Sequence, residues 1–311
     1  MSMIFKLILV FIILLSILLC QVSGEEGVRA IIIDRDNTST NVTNFNYDVI
    51  TITKGYSDVA IPVKTIKEVN FWWKDGKQFA TILTTVGKNI TGWDKYRGYY
   101  TGYTEDGAFT LDQDNAQKII FIHPQIYKFI LDNCMITNTR AVHEDTDFAS
   151  LSVSVDNKKI QKSPTNKYLG DLNNGLHTID LEVGPTPIFP DPNIPVIIGF
   201  EIVNAGNNNS GSHNGEITNA VSAGAGALTD EFAPGAGTIV EVVVKSLADV
   251  LTVNCDGPVV VDRIVTNGEQ LAEWTSKGPY SVTNQYPGID SPTGCGSNSQ
   301  YEATWHVERI S

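Results

Sequence analysis

Nine aromatic side chains crowd the interval from residue 71 to residue 103: Phe71, Trp72, Trp73, Phe79, Trp93, Tyr96, Tyr99, Tyr100 and Tyr103. The later ones sit in Gly92-Trp-Asp-Lys-Tyr-Arg-Gly-Tyr-Tyr-Thr-Gly-Tyr-Thr, a polar, glycine-rich setting that reads as loop or edge strand. An aromatic face can stack on the C–H face of a sugar ring while neighbouring Asp and Asn side chains take its hydroxyls. Tyr and Trp also offer large, stiff contact area at low entropic cost, which suits any binding surface. The competing reading is that these rings are core residues and cross-strand pairs. Trp93, Tyr99 and Tyr103 are the rings expected to be exposed and to bind ligand.

Acidic pairs are the second chemical feature. Asp34 and Asp36, Asp112 and Asp114, and Glu144-Asp145-Thr-Asp147 place carboxylates two residues apart, as calcium loops do. None continues into a full calcium-binding loop, so solvated turns explain them as well. Asp112 and Asp114 are the expected metal pair should the protein hold calcium, and no other cofactor is expected. A glycoside hydrolase needs two carboxylates roughly 5–10 Å apart, a pair that linear sequence cannot select from 35 acids. No Gly-x-Ser-x-Gly occurs, and Gly211-Ser212-His213 lies in a segment too rich in small residues to preorganise a nucleophile. Histidines 123, 143, 177, 213 and 306 are scattered without zinc spacing. No catalytic residue can be assigned from these patterns.

These groups belong to a chain of 311 residues with a net charge of −13. It opens with Lys6, a 14-residue apolar run from Leu7 to Cys20, and a small-residue exit at Ser23-Gly24. That order is a secretory signal, with a retained anchor as the alternative. The run is shorter than the ~20 residues needed to span a bilayer. Cleavage after Gly24 leaves 287 residues and a net charge of −14, since Lys6 leaves and no acid does. So acidic a chain, with no basic cluster, is not expected to bind nucleic acid. Export makes the Asn-x-Ser/Thr triplets at Asn37, Asn41, Asn89 and Asn208 candidate glycosylation sites. It also makes Cys255 and Cys295 the expected disulfide, closing a 40-residue interval with a stabilisation of roughly 3–4 kcal/mol. Cys134 is left over, either as a buried thiol or as a bridge linking two chains into a dimer.

Strand patterns must position these residues. Val28–Ile33, Tyr47–Thr53, Phe79–Val86, Phe148–Val155, His177–Val183 and Val196–Val203 are β-branched or alternating runs. Turn signals stand between them at Lys74-Asp-Gly76, Glu105-Asp-Gly107, Asn173-Asn-Gly175 and Asn267-Gly268. Pro124–Asn133 offers the best helical periodicity, with Ile126, Phe129 and Ile130 on one face. No internal repeat is visible in the residue pattern. Residues 204–237, rich in Gly, Asn and Ala, lack the large apolar groups that would offset ordering entropy and read as a flexible linker, with a long surface loop as the rival. The expected fold is mainly β: two antiparallel β-sandwich-like modules joined by that linker. The N-terminal module spans 25–203, with a further break near 135–147, and the C-terminal module spans 238–311, opening with a strand at Thr238–Lys245. The expected protein is secreted, extracellular and glycosylated, without stable membrane insertion. It binds carbohydrate or a cell-surface or matrix glycoprotein; a secreted glycoside hydrolase, a structural matrix or coat component, and a secreted signalling factor are the alternatives.

Overall fold

The computed structural model describes residues 28–94, 98–140, 145–160, 165–205, 214–229, 257–287 and 299–311. It is mainly β, with several antiparallel sheets and two α-helices among the described residues. The chain divides between His123 and Pro124 into two compact units. The signal segment Met1–Gly24, Cys255, Cys295, Asn208 and the expected strand at Thr238–Lys245 lie outside the described residues.

The first unit is built on an eight-stranded antiparallel sheet. Its strands are β1 (Arg29–Asp34), β2 (Ser39–Val42), β3 (Val49–Lys54), β4 (Ser57–Pro62), β5 (Ile66–Lys74), β6 (Lys77–Thr84), β7 (Asn89–Trp93) and β10 (Ala116–Ile122). They run in the order β2-β1-β10-β5-β6-β7-β3-β4. Alternation is strict enough to read off the burial: Gln78, Ala80, Ile82 and Thr84 of β6 point inward while the residues between them do not. Ile32, Ile52, Ile66, Val69, Ile82 and Ile119 fill the inner face. A two-stranded ribbon, β8 (Tyr99–Thr104) with β9 (Gly107–Asp112), adds Tyr100 to this core. The ribbon is tied to the segment after β2 by a reciprocal pair of backbone bonds between Thr43 and Tyr103. Asp75 and Gly76 both have positive φ and close the β5–β6 hairpin, as the Lys74-Asp-Gly76 signal requires.

Within this unit the chain repeats itself. The hairpin β3–β4 leads through a 3₁₀ turn at Val63–Thr65 into β5. Fifty residues later the hairpin β8–β9 leads through a 3₁₀ turn at Gln113–Asn115 into β10. The two copies start at 49 and 99, their second strands at 57 and 107, their 3₁₀ turns at 63 and 113, and their last strands at 66 and 116. Equivalent backbone bonds hold both: Val63 N–H to Asp48 O at 2.8 Å, and Gln113 N–H to Gly98 O at 3.0 Å.

The second unit holds β11 (Gln125–Asn138), β12 (Asp145–Val155), β13 (Lys158–Lys159), β14 (Thr165–Leu172), β15 (Gly175–Ile188), β16 (Pro195–Asn204), β17 (Gly257–Asn267), β18 (Tyr280–Tyr286) and β19 (Gln300–Arg309). One sheet runs β15-β11-β19-β18; the other runs β13-β12-β16-β17, with β14 also on β12. The helix expected at Pro124–Asn133 is strand β11. Its Tyr127, Phe129 and Leu131 are fully buried at a period of two, which overrides the weaker helical reading of Ile126, Phe129 and Ile130. The alternation of small polar and apolar residues in Phe148–Val155 fits a strand wet on one face, yet Phe148 through Ser154 of β12 are all buried.

What covers that other face is helix α1 (Asn214–Leu228), which occupies much of the supposed linker. Ile217, Ala220, Val221, Gly224, Ala225 and Leu228 are buried at spacings of three and four, one continuous helical stripe. Ile217, Val221 and Leu228 share a core with Phe148 and Val203. Small residues let this helix lie close: a Cβ on Gly199 of β16 would stand 2.7 Å from Leu228 Cβ. Strand β17, which follows α1, pairs along its length with β16, which precedes it. The described part of 204–237 is therefore a packed layer, and strands on either side of it share one sheet. The observed division falls at 123/124, and the expected breaks near 135–147 and at 204–237 both lie inside the second unit. The Asn267-Gly268 signal marks the end of β17, where Asn267 Oδ1 caps helix α2 (Gly268–Trp274) by accepting from Gln270 N–H at 2.9 Å.

A Gly199→Ala substitution tests the helix-on-sheet contact. It is expected to cost roughly 1–3 kcal/mol in urea unfolding, the usual range for overpacking; unchanged stability would mean that α1 does not press on β16.

Candidate functional site

The outer face of the eight-stranded sheet carries a row of aromatic rings. Trp72 on β5 pairs directly with Phe79 on β6, and Phe79 pairs with Trp93 on β7. Alternation turns these rings outward because their neighbours Phe71, Ala80 and Gly92 are buried within the unit. Trp72 and Phe79 stack with centroids 4.6 Å apart and planes 14° apart. The Lys77 ammonium sits 4.9 Å from the Trp93 ring centre, a cation–π contact. The row continues with Thr53, which pairs with Trp93 and donates to Asp58 Oδ1 at 2.6 Å.

A polar row runs beside it, two residues along each strand. Asn70, Thr81 and Thr91 pair across β5, β6 and β7. The Thr81 and Thr91 hydroxyls lie 3.2 Å apart, and Trp72 Nε1–H points at Thr81 Oγ1 from 3.4 Å. Asn70 donates to Glu68 Oε1 at 2.6 Å, and Lys118 Nζ lies 2.9 Å from Glu68 Oε2. Burial works against the Glu68 charge, but the bonds from Lys118 and Asn70 outweigh it and hold its carboxyl below the usual range. Rings beside hydroxyls, an amide and a carboxylate can stack on the C–H face of a sugar and bond its hydroxyls.

The structure separates the three rings chosen from sequence. Trp93 is half-buried in the row, whereas Tyr99 and Tyr103 are 58% and 55% exposed on the β8–β9 ribbon, on one face of β8. Trp72, 40% exposed, and Phe79 complete the row and were not singled out. Their cue was available: with a turn at Asp75-Gly76, residues 72 and 79 are opposite each other. Trp73 takes the other side, where the Arg35 guanidinium covers its ring at 4.9 Å.

Asp112 and Asp114 lie at a 3₁₀ turn. Asp112 Oδ1 accepts from Asp114 N–H at 2.9 Å and caps the 3₁₀ turn. Among the described residues no three acidic, histidine or cysteine side chains converge on a metal position. Asn37 sits in the β1–β2 turn at positive φ, Asn41 on β2 and Asn89 on β7, and all three are exposed. Cys134 is buried in β11, its thiol pushed up to about 12 by burial and then by the charge at Asp147. A bridge to a second chain would require that sulfur to leave the core.

The acidic pair that sequence read as a solvated turn, Asp145 and Asp147, is instead fully buried in β12. Tyr301 O–H on β19 faces both carboxylates, at 2.7 Å and 2.8 Å. Asp145 also accepts from Arg140 N–H at 2.6 Å and from the Asn204 side-chain amide. Burial, then repulsion from Asp145, pushes the Asp147 carboxyl well above its usual range despite the Tyr301 bond. Glu201 on β16 is buried under α1, and a Cβ on Gly224 would stand 2.6 Å from its Oε1. Burial pushes its carboxyl well above the usual range too; the Ala225 amide opposes this weakly, and neither carboxyl oxygen completes a hydrogen bond among the described residues. Asp145 and Asp147 meet at the Tyr301 hydroxyl, and neither they nor Glu201 expose surface to a substrate.

Carboxyls that stay protonated in the fold stabilise it fully below their unfolded value, near 4.5 for Glu201. That contribution is lost as pH rises towards the raised folded value, by up to about 1.4 kcal/mol per pH unit for each group. Glu201→Gln is expected to be more stable than wild type at pH 7–8 and to flatten the stability profile above pH 5. Equal slopes for the two proteins in urea melts would contradict a protonated Glu201.

No protein-family model matches the chain, and comparison with curated proteins and with solved structures gives no match either.

Proposed function

We propose that this is a secreted, N-glycosylated protein that binds carbohydrate, free or on a glycoprotein surface, through the outer face of its eight-stranded sheet. The observation that supports this reading is the outward-facing row Trp72–Phe79–Trp93, exposed at Trp72 and half-buried at Phe79 and Trp93, with the polar row Asn70–Thr81–Thr91 beside it. Rings from three adjacent strands give a length of surface suited to a chain of sugars rather than to one. The polar row supplies donors and acceptors at the height where ring hydroxyls would lie. Support for export comes from the Met1–Gly24 pattern, and exposed sequons at Asn37, Asn41 and Asn89 are placed where a transferase could reach them. Tyr99 and Tyr103 extend the exposed aromatic area of the same unit.

A glycan array with the secreted protein tests this. At least one oligosaccharide class is expected to bind, and Trp72→Ala or Trp93→Ala is expected to weaken it roughly tenfold or more, the loss of one stacked ring. Absence of any binding, or binding unchanged in both variants, would refute the reading.

A further inference from the structure

A third row on the outer face, separated from the rings by the polar row, ends in a glycosylation sequon at each edge. Asn41, Ile31, Ile120, Glu68, Leu83 and Asn89 pair in succession across β2, β1, β10, β5, β6 and β7. Paired residues share a face of a sheet, and their chain neighbours Val42, Ile32, Val69 and Ile82 belong to the inner core. Asn41 and Asn89, both exposed, therefore stand on the face that carries the rings.

Asn89 is within reach of the rings and Asn41 is not. On β7, Asn89, Thr91 and Trp93 point the same way at intervals of two. Thr91 of the polar row is thus about 7 Å from Asn89 along the strand, and Trp93 about 13 Å. Asn41 is five strand spacings away from Asn89, about 24 Å across the sheet. From Asn89 towards the rings the surface changes in the order a glycan would meet it. Leu83, half-buried directly opposite Asn89, offers apolar contact to the first N-acetylglucosamine. The Thr81 and Thr91 hydroxyls come next, and then the Phe79 and Trp93 rings. The inner few sugars of an N-linked glycan span that distance. On so short a tether they meet the rings at an effective concentration of roughly millimolar order, enough to occupy a contact of about 1 mM affinity half the time.

We propose that the glycan on Asn89 lies along β6 and β7 and rests on the Phe79–Trp93 part of the row, so that the protein's own glycan competes with outside sugar for the rings. The proposal rests on the carbohydrate reading above and adds regulation in cis: an outside ligand must displace a tethered competitor, and the length of that glycan sets the affinity.

Endoglycosidase trimming of the folded, secreted protein tests it, on material from cells that make only oligomannose glycans, since trimming leaves one N-acetylglucosamine on each asparagine. Glycopeptide mass spectrometry is expected to find Asn89 occupied. With no sugar added, trimming is expected to shift the Trp93 indole N–H signal in ¹H–¹⁵N NMR. The same treatment of Asn89→Gln is expected to leave that signal in place, and Asn41→Gln is expected to respond as wild type does. An oligosaccharide that binds the row is expected to bind the trimmed protein about two- to fivefold more tightly, and Asn89→Gln equally tightly with or without trimming. An Asn89 without glycan, or a Trp93 signal that ignores trimming, would overturn the inference. Oligosaccharide bound with equal affinity before and after trimming would also overturn it, and would leave the row standing as a site for outside sugar. A Trp93 signal that responds to trimming while no oligosaccharide binds either form would uphold the glycan contact and overturn the row as a site for outside sugar.

Discussion

Everything on the outer face of the first unit depends on the burial of its inner face. Ile66, Val69 and Phe71 on β5, Ala80 and Ile82 on β6, and Ile50 and Ile52 on β3 are removed from water together. Burying each large aliphatic side chain is worth roughly 1.5–3 kcal/mol. A slip of one residue between β5 and β6 would turn one strand over against the other, sending Ala80 and Ile82 outward and Lys77 and Phe79 inward if β6 moved, so the register is strongly determined. The positive-φ turn at Asp75-Gly76 sets the same register independently. The row of rings is thus a consequence of core packing: three strands locked in register deliver one ring each to the same line.

The repeat keeps one order and spacing of elements in two different sequences. Its two copies share identical residues only at Thr51/Thr101 and Phe71/Phe121 between positions 49–72 and 99–122, yet their elements superpose in order and spacing. Phe71 and Phe121 are both buried, and the same backbone bond closes each 3₁₀ turn. At two buried positions the first copy carries hydrocarbon, Ile50 and Val63, where the second carries Tyr100 and Gln113. Asp112 caps its own 3₁₀ turn with a side-chain bond, whereas Pro62 opens the equivalent turn of the first copy without one.

Much of the fold was legible in the residues, and the misreadings share a cause. Strands β1, β3, β6, β12, β15 and β16 coincide with β-branched or alternating runs, and Lys74-Asp-Gly76 is a hairpin as read. Helix α1 is hidden in the sequence because half of its buried stripe is Ala and Gly, which carry little hydrophobic signal. Its packing comes from close approach, with Gly199 and Gly224 as the contact points, rather than from large side chains. Strand β11 fits a helical period as Ile126, Phe129 and Ile130 and a strand period as Tyr127, Phe129 and Leu131, and its sheet partners β15 and β19 decide between them. The repeat escaped notice because it is conserved in spacing and not in residue type. For the site, aromatic density pointed to the correct region, but which rings share a face is a property of strand pairing. Trp72 and Phe79 therefore emerged only with the sheet, and Tyr99 and Tyr103 moved to a separate ribbon.

The central claim is that sugar contacts the Trp72–Phe79–Trp93 row, and the chain's five tryptophans allow a direct reading. Trp72 and Trp93 lie on the row, whereas Trp274 and Trp305 belong to the second unit. Indole N–H resonances followed by ¹H–¹⁵N NMR during titration with a bound oligosaccharide would separate them. Saturable shifts of the Trp72 and Trp93 signals, with those of Trp274 and Trp305 unmoved, are the predicted result. Binding that leaves the Trp72 and Trp93 signals in place would contradict the account.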